Sequence, residues 1–380
     1  MLPAGLTEEA LARAEAEADP DSLAAAGRLR QAYGPELAAA ALHQASLRRR
    51  ARTKFGDQAG GMFFTRIGLE QATRPEIAAH HAQRLRAAGA RRVFDLGCGI
   101  GSDARACAAA GLAVVAVDLD PATAAIARAN LDPPATVVCA DAETLLLDAL
   151  SPGDAIFCDP ARRTDRGRLW QVADFRPSWG WVTALLDGRR PVGVKLGPGL
   201  PHSFIPGGVE AQWVTHRHDV VEVTLWAGPG AVPDQRSAFH WPDQQLVTDP
   251  TAPALGVRPP GRYLYEPDGS VIRSGGMAQV GAALGAALLD PDIAYLTADE
   301  LTPTPWATTF AVQEVLPFDV KIIKAYLRTR GIGRLEIKKR GVEVDPAALR
   351  RRLGPTGPEE ATLILSRTPR GAVALVAQRS

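Results

Sequence analysis

The sequence predicts an α/β chain built on a seven-stranded, doubly wound sheet, with a helical segment before it and small α+β domains after it. Three observations carry that expectation. Between Arg92 and Leu196, apolar runs of strand length alternate with helical segments, as in buried parallel strands joined by crossover helices. Two further strand patterns, Ala211–Thr215 and Val220–Trp226, are separated only by His216–Asp219, a spacing that suits a hairpin and not a crossover. After Gly228 the texture changes, and residues 229–262 are dense in Pro, Gly, Asp and Gln, which marks a domain boundary.

A length of 380 residues exceeds what one core usually holds, so two or three domains are expected. Hydrophobic residues at 46% and charged residues at 22% exclude a disordered chain. The net charge of +1 hides an asymmetry: residues 311–380 carry 14 Lys/Arg against 7 Asp/Glu, while the first 310 are net acidic. The C-terminal stretch is therefore suited to an anionic partner. Cys98, Cys107, Cys139 and Cys158 form no C-x-x-C pair, which points to a reducing cytoplasm and no structural zinc. The acidic N-terminus lacks the apolar core of a signal peptide, and no apolar run reaches membrane-spanning length. A soluble, cytoplasmic protein is expected.

In chain order, residues 6–52 read as short helices, interrupted near Asp19-Pro20 and at Gly34-Pro35. The basic cluster Arg48–Lys54 reads as a solvated helix end favoured by the helix dipole in preference to a nucleic-acid contact, and Gly56–Gly61 as a hinge or loop. Thr73-Arg74-Pro75-Glu76 has the pattern of a capping box, with Pro75 tolerated in a first turn whose amides lack intrahelical partners. That helix runs to about Ala88 and ends at Gly89. Strands follow at Arg92–Leu96, Ala113–Asp118, Thr136–Ala140, Asp154–Cys158 and Pro191–Leu196, and helices at Asp103–Ala110, Pro121–Asn130, Glu143–Leu150 and Ser178–Leu186. Beyond the boundary, a helical pattern at Gly276–Leu289 precedes strands at Ala294–Leu296 and Thr308–Val315. The tail reads strand Arg334–Lys339 between helices Asp319–Thr329 and Asp345–Leu353, then strands Ala361–Ser366 and Val373–Gln378.

The stretch that carries chemistry is Val93-Phe94-Asp95-Leu96-Gly97-Cys98-Gly99-Ile100-Gly101, at the first strand-to-helix turn. Glycines there let the backbone turn sharply and approach a ligand. A dinucleotide fingerprint starting at Gly97 needs Gly at position 102, where Ser102 stands. The pattern is instead acid-x-G-x-G-x-G, and Asp95 suits a ligand with an ammonium group and a cationic sulfur better than a pyrophosphate. Asp118 closes the second strand, where a carboxylate can accept from both hydroxyls of a ribose. Asp141 closes the third, in reach of an adenine amine, and Asp159-Pro160 closes the fourth. In open α/β sheets ligands bind beyond the carboxyl ends of the strands, so these acids converge on one crevice; a single such Asp would be read as a helix cap.

Over about Phe64–Gly228 the sequence resembles the class I S-adenosylmethionine-dependent methyltransferases. The resemblance implies an α/β fold with a seven-stranded Rossmann-like methyltransferase sheet, S-adenosyl-L-methionine as cofactor, and a cofactor site of Asp95, Gly97, Gly99, Gly101, Asp118 and Asp141. Methyl transfer from a sulfonium needs positioning and electrostatics and no metal. Asp159-Pro160-Ala161-Arg162 is similar to the [D/N/S]-P-P-[Y/F/W] signature of enzymes that methylate planar amino groups, in which the first side chain and the proline-region carbonyl accept from the amine. Asp159 and Pro160 match; Ala161 and Arg162 do not, and Arg162 is read either as a substrate contact, by stacking or on a phosphate, or as a structural ion pair. Lys195, in an otherwise apolar strand, either pairs with an acid, with Asp159 the candidate, or faces the site. His202, His216 and His218 are read as loop surface residues and not as metal ligands.

Residues Thr65–Arg84 resemble the pre-sheet helix of trimethylguanosine-synthase-like RNA methyltransferases, which makes Thr73 and Gln71 cofactor neighbours by that likeness. The tail, Val320–Gly331 through Arg334–Gly341, looks like the THUMP-like domain joined to a subset of bacterial methyltransferases. The division expected is an N-terminal helical cap 1–55, a methyltransferase domain 56–230, a ferredoxin-like α+β domain 231–310 and a basic THUMP-like domain 311–380. The function implied is methylation of a base nitrogen in structured RNA, tRNA or rRNA, with Asp159, Pro160 and Lys195 as catalytic residues. The alternatives are a methyltransferase acting on a small molecule or protein, and a non-catalytic RNA-binding protein retaining the cofactor fold.

Overall fold

The computed structural model describes residues 5–145, 150–162 and 175–380, with Arg162 described by its backbone alone. The chain divides into two compact units, Met1–Gln212 with Glu222–Gln235, and Trp213–Val221 with Arg236–Ser380.

The first unit begins with helices Glu8–Glu15, Leu23–Tyr33 and Pro35–Phe55. Thr7 and Ser22 cap the first two by accepting from amides three residues on, and Pro35 takes the first-turn position of the third. The basic cluster that closes this segment is a solvated helix end only in part: Arg49, Arg50 and Arg52 are exposed, but Arg48 is not. Arg48 is buried and donates to the Met62 carbonyl and to Glu15, at 2.8 and 2.7 Å, and Arg49 holds the carbonyls of Glu17 and Ala18. Lys54 donates to the carbonyls of Leu69 and Glu70. Arg48 satisfies a carbonyl that packing removes from water, a stronger demand than solvation of a helix tip.

The sheet of this unit contains β1 (Arg92–Leu96), β2 (Ala113–Asp118), β3 (Thr136–Cys139) and β4 (Asp154–Cys158); the two-residue strands β5 (Ala161–Arg162) and β6 (Phe175–Arg176) pair with each other. It continues with β7 (Val192–Leu196), β8 (Glu210–His216) and β9 (Asp219–Ala227). Two further strands, β10 (Arg236–His240) and β11 (Gln244–Val247), extend the expected seven beyond β8, so that among the described residues the order is β11-β10-β8-β9-β7-β4-β1-β2-β3, with β1 to β4 and β7 parallel and β9 antiparallel to β7. All of β4 and β7 is buried, as expected of strands covered on both faces. The strand order reverses between β1 and β4, so the crevice at their carboxyl ends is the switch point of the sheet. The β8–β9 turn is Arg217-His218, both with positive φ, the geometry that matches strand twist in two-residue hairpins. Of the helix expected at Glu143–Leu150, residues 142–144 form a 3-10 turn and residues 146–149 lie outside the described residues.

In the second unit, β10 (Arg236–His240) and β11 (Gln244–Val247) form an antiparallel pair inside the stretch read as a boundary. Its main sheet joins β12 (Tyr263–Pro267), β13 (Ala287–Asp290), β14 (Ile293–Ala298), β15 (Ala307–Pro317), β16 (Ile332–Lys339), β17 (Glu359–Thr368) and β18 (Gly371–Arg379), in the order β13-β14-β12-β15-β18-β17-β16. The helix expected at Gly276–Leu289 is shorter: Met277–Ala283 is helical, Gly285 has φ of +59°, and β13 begins at Ala287. Gly285 stops the helix and the apolar run Ala287-Leu288-Leu289 pairs as a strand, a choice that a run of that length leaves open. Helices Val320–Thr329 and Pro346–Leu353 bury Ile323, Leu327, Leu349 and Leu353 with Leu335, Leu363 and Val376 of the sheet. His216 is buried in β8 against Trp241, at 5.5 Å, and is not a loop residue.

Candidate active site

Strand register assembles the site. Leu96 stands opposite Val117 on one side and Cys158 on the other, and Cys158 opposite Val194. The next residues, Gly97, Asp159 and Lys195, therefore emerge side by side at the carboxyl edge. Gly97 has φ of +80°, and a β-carbon there would stand 2.7 Å from the Asp159 carbonyl oxygen, so only glycine fits. Gly99, φ +55°, donates its amide to Asp118 Oδ2 at 2.9 Å, and nothing lies within 4 Å of where its β-carbon would be. Gly101 is the left-handed residue that starts helix Ser102–Ala109. Asn130 fastens the loop from below, donating to the carbonyls of Ile100 and Phe63 at 2.9 Å each and accepting from the Phe63 amide.

Asp118 also accepts from the Asp120 amide at 3.0 Å, and Asp120 caps helix Pro121–Asn130. Asp141 is exposed at the end of β3 and caps the turn Ala142–Thr144, accepting from Glu143 at 3.0 Å. Asp95 is buried, and its Oδ2 has no hydrogen-bond partner among the described residues. Burial, with Asp103 and Asp159 nearby, raises the Asp95 carboxyl well above its ordinary value.

The helix before the sheet starts one residue later than the capping box requires. It spans Pro75–Ala87 with Arg74 at the cap position and no side-chain cap bond, and a buried oxygen of Glu76 is unpartnered among the described residues. Thr73 is freed for the site: its hydroxyl donates to Asp103 Oδ2 at 2.6 Å and accepts from Lys195 Nζ at 2.9 Å. Lys195 Nζ also pairs with Asp159 at 2.6 Å. Burial works against the Lys195 ammonium, but Asp159, Asp103 and Glu222 outweigh it and raise its pKa above the ordinary lysine value.

Three residues that sequence reading missed complete this network. Asp103 accepts from His81 Nδ1 at 2.8 Å, and the other ring nitrogen of His81 meets Glu222 at 2.6 Å. Thr224 donates to Glu222 at 2.8 Å. His81 is fully buried; burial opposes its charge, but Glu222 and Asp103 raise its pKa to about 9. The missed signal was a histidine on the apolar face of the pre-sheet helix, between the buried Ala78 and Ala82, where a cation needs an anion. The Arg162 side chain lies outside the described residues, and Gln71 ends helix Arg66–Gln71.

A doubly wound parallel sheet with a glycine loop at its first turn, a carboxylate at the tip of β2 tied to that loop, and a surplus of buried acids at the switch point defines a nucleoside-cofactor fold built for a cationic ligand. A methyltransferase-domain family matches residues 93–167, a THUMP domain-like family matches residues 307–379, and a domain of unknown function matches residues 3–51. Two Mycobacterium tuberculosis proteins, from strains CDC 1551 and H37Rv and both described as uncharacterized S-adenosylmethionine-dependent methyltransferases, are each 34% identical over 344 residues, covering 87% of this chain and 93% of theirs. The crystal structure of a Porphyromonas gingivalis W83 protein described as a methyltransferase superposes with a TM-score of 0.79 over 98% of both chains at 22% identity, so the architecture is shared. The chain belongs to the S-adenosylmethionine-dependent methyltransferases, and S-adenosylmethionine is its cofactor. The site fits that group: the unpartnered Asp95 oxygen and the excess of carboxylates over cations suit a ligand carrying an ammonium and a sulfonium. Among the described residues no helix is long and apolar enough to cross a membrane.

Proposed function

We propose that this enzyme methylates a base nitrogen of structured RNA, tRNA or rRNA, recruited by the C-terminal domain. The observation that carries the reading is a set of basic side chains on two helices of that domain. Lys321, Lys324, Arg328 and Arg330 on or just after the first helix, and Arg350–Arg352 on the second, are all exposed. None of them makes an ion pair among the described residues, whereas Arg334, Lys338 and Arg367 on the sheet pair with Glu360, Glu266 and Asp290. Unpaired cations on one pair of helices suit a phosphate backbone and release its counterions. The match to THUMP-like domains over residues 307–379 supports the same partner.

The cofactor supplies an electrophilic methyl on a sulfonium. In this reading Gly97, Gly99, Gly101, Asp95, Asp118, Asp141 and Thr73 hold and orient it. Asp159, whose pKa burial raises against the pull of the Lys195 ammonium, accepts from the acceptor nitrogen together with the Pro160 carbonyl, which aims the lone pair in line with the methyl. Asp159 is 37% exposed, open to a substrate and placed to take the proton the nitrogen releases. Turnover of labelled S-adenosylmethionine with total cellular RNA tests this reading; label appearing only in protein or small molecules would refute it.

A further inference from the structure

Four buried or half-buried carboxylates, Asp95, Asp103, Asp159 and Glu222, share the switch point with two cations, Lys195 and His81. A continuous chain of hydrogen bonds and ion pairs links all of them except Asp95: Glu222 to His81 at 2.6 Å, His81 to Asp103 at 2.8 Å, Asp103 to Thr73 at 2.6 Å, Thr73 to Lys195 at 2.9 Å, and Lys195 to Asp159 at 2.6 Å. We infer that His81 is a positioning residue whose imidazolium neutralises Asp103 and Glu222, which leaves the Lys195 ammonium engaged with Asp159. The inference rests on the reading of Lys195 and Asp159 as the acceptor-side pair.

The reasoning is one of charge balance among groups that are mostly removed from water. Lys195 stands between two sets of acids, Asp159 on one side and Asp103 beyond Thr73 on the other. Both Asp103 and Glu222 act on its ammonium as well as Asp159. With His81 charged, Asp103 and Glu222 have a partner that touches both. Without that charge, Lys195 is the only cation left in the chain, and Asp103 competes with Asp159 for it through a single hydroxyl. The ring has no freedom to serve another purpose: it is wholly buried, packed 4.8 Å from Phe157 and 6.0 Å from Trp226. The neighbouring His80 is bonded to Gln212, and Arg84 covers Trp226 while pairing with Glu210, so neither replaces the missing charge. An uncompensated buried acid is costly, and the pairing of a network is set by all its members together.

The test uses the full-length protein with labelled lysines, of which the chain has only six, so that the Lys195 side-chain resonance is assigned by the signal lost in K195R. In the wild type, the Lys195 resonance should follow the titration of the His81 ring, with a shared midpoint near 9. H81Q should move the Lys195 resonance and lower kcat with total RNA by about 10²-fold, as expected of a misplaced acceptor, with KM for S-adenosylmethionine within about threefold. The double variant H81Q/D103N, which removes the competing acid along with the cation, should restore much of both. A purely structural role for His81 would make the double variant worse than the single. A Lys195 resonance indifferent to His81, in the wild-type titration or in H81Q, overturns the inference, and the wild-type measurement decides even if H81Q does not fold. Full turnover by D159A would instead remove the acceptor-side reading and leave the Lys195 result standing on its own.

Discussion

Gly97 and Asp159 meet backbone to backbone: a β-carbon on the glycine would lie 2.7 Å from the carbonyl oxygen of the aspartate. The loop read as the cofactor contact and the residue read as the acceptor contact are thus held at a fixed separation by the parallel register of β1 and β4. A methyl donor and its acceptor need that kind of rigid spacing, because in-line displacement is sensitive to small misplacements.

Gly97→Ala should therefore fail twice. Its positive φ costs a non-glycine residue about 1–2 kcal/mol, and the contact with Asp159 forces the loop away from β4. Calorimetry should show S-adenosylmethionine affinity at least tenfold weaker, with a lower Tm. Wild-type affinity would show that the loop does not set the cofactor's position.

Asp118→Ala removes the carboxylate that holds the Gly99 amide and stands at the expected ribose site. Losing charged hydrogen bonds of this kind costs about 1–3 kcal/mol, so cofactor binding should weaken by roughly tenfold to a hundredfold. Because Asp118 is only half-buried, the Tm should change little. Unaltered calorimetric affinity would remove Asp118 from the cofactor site.

The pH dependence of stability follows from His81. Its pKa is raised from the ordinary 6.5 to about 9 in the folded chain, against burial, by Glu222 and Asp103. A group raised on folding stabilises fully below its unfolded value and loses that contribution as pH climbs through the folded one. The contribution, on the order of 3 kcal/mol, should be complete below pH 6.5 and lost between there and somewhat above pH 9. Thermal melts should show the wild-type Tm falling across that window and H81Q nearly flat over it; parallel curves for the two would refute the assignment.

The basic helices call for substitution and not deletion, since β15 to β18 belong to the same seven-stranded sheet as β12 to β14. K321Q/K324Q/R351Q should leave Tm almost unchanged and make the slope of log affinity for tRNA against log salt shallower by about 2. Fluorescence anisotropy over a salt series measures it, and an identical slope would place the RNA elsewhere.

Much of this was legible along the chain. The parallel strands, the closing hairpin, the glycine loop and the acids at the strand tips all follow from local rules, because strand length, apolar runs and turn residues act over a few neighbours. The capping box at Thr73 misled for the same reason. The local pattern is sound, but a buried Asp103 and Lys195 offer that hydroxyl stronger, charged partners than a helix amide. Arg48 misled likewise, its charge visible in the basic run and its partners, the Met62 carbonyl and Glu15, distant in sequence.

The amino-acid order alone determined the fold class, the place of the glycine loop and the charge of the C-terminal domain, all consequences of spacing and composition. Only the folded chain decided that Thr73, His81, Asp103, Lys195 and Glu222 form one network. Their partners lie up to 141 residues apart, and which buried charge neutralises which depends on distances that no local pattern encodes.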